Sequence, residues 1–181
     1  MIVVEVYTFD VHFTGPAGEG TVDALYEAGW DDATVSFDPA TGGSGVASFD
    51  READSAVEAI ASAITEGRSA GVEVAGVSEN LVPLAEIAER AGRSFATADH
   101  WAAGRRGPGG FPEPKIKRAK ASLYSWAEVA RWLHDSGLAD VSLADVETAR
   151  VCEVADALLR AHRLQDELTP RDRRLLRRAV A

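Results

Sequence analysis

The sequence predicts a mixed α+β protein, on three observations. Apolar and polar residues alternate near the amino terminus, which marks a half-buried strand. The middle of the chain holds two short helical patterns parted by a glycine, then a Gly/Pro-rich turn and a basic stretch. The last quarter carries an apolar stripe at helical spacing.

Phe9, Val11 and Phe13 alternate with Thr8, Asp10 and His12, so the spacing predicts a strand over 3–13. Thr21 is placed to cap a short helix carrying Val22, Leu25 and Tyr26, and Gly29 to stop it. Residues 34–38 and 46–50 read as two strands with Val35, Phe37, Ala47 and Phe49 inward, joined by a 39–45 loop rich in turn residues. Residues 53–67 place Val57, Ile60, Ala61 and Ile64 on one helical stripe, and 72–77 reads as a last strand. Strand, helix, strand, strand, helix, strand is the split βαβ, ferredoxin-like order.

The next segment has the spacing of a helix-turn-helix. Pro83 suits a first helical turn. Leu84, Ile87, Ala88 and Ala91 fall on one face. Gly92 permits a tight turn and Ser94 caps a second helix, over 94–103, whose inward residues are Ala98 and Trp101. Phe95, Ala96, Thr97, Asp99 and His100 are left near the surface. A basic wing over 111–125 follows the Gly107-Pro108-Gly109-Gly110 turn. That turn lacks the Lys-Ser/Thr ending of a nucleotide-binding loop. Lys115 to Arg118 and Ser122 to Tyr124 read as a hairpin with Lys120 near its tip. Ser125 and Glu128 form a capping box for a helix with Trp126, Val129, Ala130 and Leu133 inward.

In the tail, Ser142 and Asp145 open a long helix whose stripe runs from Leu143 and Val146 through Val151, Val154, Ala155, Leu158 and Leu159 to Leu164. Thr169-Pro170 breaks it and starts a last helix, with five arginines beside Leu175, Leu176 and Val180. The expected organisation is an acidic ferredoxin-like domain (1–78), a winged helix-turn-helix (79–137) and a helical hairpin tail (138–181).

Charge separates these parts. The chain of 181 residues has a net charge of −10. Residues 1–78 hold 14 acidic and 2 basic residues, whereas 93–120 hold 7 basic against Asp99 and Glu113. Such asymmetry points to different partners for different parts. The one cysteine, Cys152, excludes an internal disulfide and sits in an apolar stripe. No apolar run is long enough for a membrane span, and no signal peptide is visible, so the expected location is the cytoplasm. Asp10, His12, Asp31 and Asp32 have the chemistry of metal ligands. Period two, however, puts Asp10 and His12 on a solvated strand face, and no metal or cofactor is expected. No nucleophile–base pair appears, so no enzymatic activity is expected.

Residues 81–136 resemble the winged helix-turn-helix of MerR and excisionase-like (AlpA-type) bacterial DNA-binding proteins. The matching pieces are Leu84-Ala85-Glu86-Ile87-Ala88, the turn at Gly92-Arg93-Ser94, the Phe111-Pro112-Glu113-Pro114 step and the aromatic-Ser-Trp-x-x-Val-x-x-Trp-Leu ending at Tyr124 to Leu133. The chain departs from the pattern at Arg93, at Phe95-Ala96 and in the long 105–110 loop. The resemblance implies a transcriptional regulator that binds double-stranded DNA as a homodimer or in arrays. By position it implies groove contacts from Ser94, Phe95, Thr97 and His100. Phosphate contacts would come from Arg93, Arg105, Arg106, Lys115, Lys117, Arg118 and Lys120. The rival reading is a protein-interaction module, such as an antitoxin or adaptor, whose acidic amino-terminal domain docks a basic partner.

Overall fold

The computed structural model describes residues 5–117 and 121–181. The chain is mixed α+β. Its first half runs β1 (Glu5–Thr14), α1 (Glu19–Ala28), β2 (Ala33–Phe37), β3 (Ser44–Ala53), α2 (Ala56–Ser69) and β4 (Glu73–Val77). These strands form one antiparallel sheet in the order β2-β3-β1-β4. The alternation expected in β1 is present: Tyr7, Phe9, Val11 and Phe13 are buried. Positions 3 and 4 of the expected strand lie outside the described residues.

One core lies between this sheet and its helices. Phe9 stacks on Phe49 at 5.0 Å, and Trp30 meets both Phe13 and Phe49 edge-on. Burying an aromatic or large aliphatic side chain of this kind contributes ~1.5–3 kcal/mol. Trp30 Nε1 donates to the Ala63 carbonyl, so its one polar atom is satisfied. A Cβ on Gly67 would sit 2.6 Å from Trp30, which is why α2 carries glycine there.

Gly18, not Thr21, occupies the cap of α1, and Thr21 instead donates to the Pro16 carbonyl. The stripe of α2 is rotated. Its sheet-facing residues are Ala56, Ala59, Ile60, Ala63 and Gly67, while Val57 is exposed. Small residues let the helix lie close on the sheet, and the larger ones are turned aside.

The second half runs β5 (Leu81–Val82), α3 (Leu84–Arg90), α4 (Phe95–Ala102), β6 (Tyr124–Ser125), α5 (Trp126–Ser136), α6 (Leu143–Asp166) and α7 (Pro170–Val180). Pro83 stands at the cap of α3, one residue earlier than expected. A second core gathers Val82, Ile87, Ala88, Ala98, Trp101, Tyr124, Val129 and Leu133.

The 24-residue α6 belongs to both cores. Val146 and Ala149 pack into the second, Cys152 and Leu159 into the first. It also covers the sheet edge. Asp156 Oδ1 accepts from the Val77 amide at 3.2 Å, and Arg163 donates to the Ala75 carbonyl. An edge strand's free backbone groups invite pairing with other chains, and α6 occupies these. The expected stripe on α6 is split: Val146 and Leu159 are buried, but Val154, Leu158 and Leu164 are exposed. One helix meeting two bodies buries different faces along its length. No helix of the described residues is long and apolar enough to cross a membrane.

Candidate nucleic-acid interface

The turn between α3 and α4 is set by Gly92, whose φ of 61° is strained for any residue with a Cβ. The Arg93 amide then returns to the Ala88 carbonyl at 2.8 Å. Ser94 caps α4: its Oγ accepts from the Thr97 amide at 3.3 Å and lies 3.0 Å from Thr97 Oγ1. Ala98 and Trp101 are fully inward, which rotates Phe95 and Ala96 outward. Phe95 is 58% exposed. Thr97, Asp99 and His100 are half-buried along the same outer side.

The cations around α4 are mostly tied. Arg93 Nη2 donates to the Leu138 carbonyl at 2.9 Å, holding its guanidinium against the end of α5. Asp99 pairs with Arg105 at 2.6 Å. Arg105 reaches Asp99 because its amide and that of Arg106 both fold back onto the His100 carbonyl, which brings residue 105 beside the last turn of α4. Arg106 is exposed and has no ion-pair partner among the described residues.

The loop from Gly104 to Gly110 is pinned by aromatic rings. Trp132 Nε1 donates to the Gly109 carbonyl at 2.9 Å. Phe111 packs edge-on against Trp132 and Tyr124, and Trp132 against Trp101. Gly107, Gly109 and Gly110 all have positive φ, so the loop follows a path that residues with side chains rarely adopt.

The wing differs from the simple hairpin expected. Ile116 and Leu123 form a single antiparallel bridge, and Lys115 and Ile116 amides both donate to the Leu123 carbonyl. Tyr124 and Ser125 leave the wing to pair with Val82 and Leu81. Pro112 and Pro114 have no N–H to donate, which limits the ladder on that side. Lys115 Nζ lies 2.5 Å from Glu128 Oε1, and Lys117 Nζ lies 3.2 Å from Glu113 Oε2. The hydrogen bond that Lys115 donates to Glu128 holds its ammonium above the ordinary lysine range. Arg118 and Lys120 lie outside the described residues.

Glu128 thus serves the wing rather than a complete capping box. Its amide donates to Ser125 Oγ at 3.3 Å, but its carboxylate goes to Lys115, and Ser125 Oγ donates to Glu153 on α6. The roles of Glu113 and Glu128 as counter-ions were not read from the sequence. The four-residue spacing of Glu113 and Lys117 was the available signal for one of them. The Lys115–Glu128 contact depends on the loop path.

Two of the acids considered as metal ligands, Asp32 and Asp10, are engaged elsewhere. Asp32 receives Arg51 through both carboxylate oxygens at 2.8 Å, and Asp10 accepts from Ser48 Oγ at 2.7 Å. No group of three or more His, Cys, Asp or Glu fit to hold a metal ion occurs among the described residues. Comparison with family models, curated proteins and solved structures finds no match to this chain.

Proposed function

We propose that this chain binds duplex DNA as a transcriptional regulator, with α4 in the major groove and the wing along the flanking phosphates. The observation that carries the reading is the orientation of α4. Its inward residues are consumed by the second core, and its amino-terminal half stands clear, with Phe95 outermost. A second helix presented in this way reads base edges with its first residues. Thr97 and His100 are then the base contacts, and Arg93, Arg105, Arg106, Lys115 and Lys117 approach phosphates. The strand order of the sheet supports a ferredoxin-like amino-terminal domain. The single bridge beside α4 supports a short wing of MerR or excisionase type.

Pairing of the wing lysines with carboxylates does not oppose this reading. Lys117 and Glu113 are 72% and 86% exposed. Such pairs contribute ~0–1 kcal/mol and exchange readily for a phosphate. The acidic amino-terminal domain is a long-range cost. At physiological salt the screening length is about 8 Å, so nearby charges dominate.

Retention of a random duplex pool by the full chain at low salt tests the reading, with bound molecules sequenced. Enrichment of a short motif is expected. Absence of retention, with a basic protein bound through residues 5–78 instead, would place the chain with interaction modules.

A further inference from the structure

Two apolar surfaces have none of the described residues packed against them. The first is a groove of about 970 Å³ between α2 and α6. Val57 and Ile64 of α2 and Val151, Val154 and Leu158 of α6 form its walls. Val57, Val154 and Leu158 face solvent there, Leu158 being 66% exposed, while Ile64 and Val151 pack in part against the first core.

The second surface is one side of α7. This helix has 11 residues and none is buried. Leu175, Leu176 and Val180 all face solvent. A helix this short is marginal in water without packing. The chain supplies a Thr169 cap and a proline at the first turn, but among the described residues no core. Arg177 is held by Gln165 and Arg173 by Asp166, at the last turn of α6, beyond His162 where the groove lining ends. Folding α7 back onto its own groove would break both ties.

We propose that the groove receives α7 of a second copy of this chain, in a reciprocal two-fold exchange. The lengths agree. Eleven residues span roughly 16 Å, and the groove runs roughly 20 Å along α2 from Ser55 to Arg68. The charges agree in one orientation. Glu147 lines the groove, with Arg150 one turn beyond it, and Asp54 and Glu58 flank Ser55 and Ala56, the lining residues at the start of α2. Arg68 and His162 line the groove about four turns further along α2 and α6. On α7, Asp172 stands in the first turn and Arg177 and Arg178 in the last. Laid antiparallel to α2 and α6, the incoming helix sets its arginines against the acids and Asp172 near Arg68 and His162. The macrodipoles then also oppose. A reciprocal exchange closes on itself, so the assembly stops at two. No duplex is needed for this contact, so it stands or falls apart from DNA binding.

Sedimentation equilibrium of the full chain without DNA is the test. The expected species has twice the 19.2 kDa chain mass and dissociates on dilution. Leu158→Asp in the groove and Leu176→Asp on α7 should each halve the mass, with far-ultraviolet circular dichroism losing at most the contribution of α7, because both side chains are exposed and neither belongs to a core. Mixing the two variants should restore a dimer, since one intact groove then meets one intact α7. A chain that is monomeric at every concentration overturns the exchange, and so does a dimer that survives Leu176→Asp.

Discussion

Arg105 Nη2 lies 2.6 Å from Asp99 Oδ2, so the only acid on α4 is matched by the first arginine of the loop that follows. Both side chains are partly exposed, and their pair is weak in water. Beside a phosphate, Asp99 remains a negative charge that competes with the phosphate for Arg105. Asp99→Asn should therefore tighten binding to any duplex, by about 3- to 10-fold at low salt, with the gain fading as salt rises. Fluorescence anisotropy with a labelled duplex reads this directly. Weaker binding would show that Asp99 accepts from a base instead.

Lys117 and Thr97 should separate affinity from preference. Lys117 is on the wing and exposed, whereas Thr97 is on the outer side of α4 with its hydroxyl shared with Ser94. Lys117→Ala should weaken specific and random duplexes alike and flatten the salt dependence by about one unit. Thr97→Ala should cost about 1–3 kcal/mol on the preferred site and much less on random duplex. Equal losses on both duplexes for both variants would overturn these roles.

Arg51 anchors the amino-terminal core. Its guanidinium is buried over the Phe49 ring and donates to Asp32, Glu66, Ser62 and the Gly29 carbonyl. Burial works against its charge, but hydrogen bonds and attraction from Asp32 and Glu66 outweigh that and hold its pKa above the ordinary value. Removing one partner of a buried ion pair typically costs about 3–5 kcal/mol. Arg51→Ala should lose stability on this scale in urea unfolding. Arg51→Lys should recover little, because an ammonium cannot make the paired contact to Asp32. A loss below about 1 kcal/mol for Arg51→Ala would show that the network is incidental.

Much of this architecture was legible from short-range chemistry. The β1 alternation, the Gly29 stop, the Ser94 cap and the complete Ser142–Asp145 capping box each depend on neighbours within a few residues. Arg51 was not legible. Its hydrogen-bond partners come from two other segments, the α1–β2 connection and α2, and no local pattern marks a buried arginine. The faces of α2 and α6 were legible as apolar but not as divided. A stripe records that a helix has apolar neighbours, not how many bodies supply them. Around α4, the sequence located the cations, but not the carboxylates that hold Lys115 and Arg105, because those contacts depend on the path of the glycine loop.

Cys152 offers a pH-dependent check on α6. Burial pushes its thiol up to about 11, with a hydrogen bond involving Ser78 opposing the shift. The folded chain therefore keeps the proton over a range where the unfolded chain has lost it. This contribution to stability is complete below the ordinary thiol range and is lost as pH rises towards 11. Cys152→Ala should remove that part of the alkaline decline in urea-unfolding stability. In the native protein at pH 8 the thiol should react with a disulfide reagent only at the rate of opening. Rapid native labelling would mean that α6 is not seated on the sheet.

The central claim is that α4, its loop and the wing form a surface shaped for a duplex. Anisotropy titration of one labelled duplex by the full chain, repeated over a series of salt concentrations, tests it most directly. Releasing counterions from about five phosphates predicts a straight log–log line with a slope of roughly −4 to −5 per protomer, which Lys115→Ala and Lys117→Ala together reduce by about two. No binding at low salt, or binding that these two substitutions leave unchanged in slope, would contradict it.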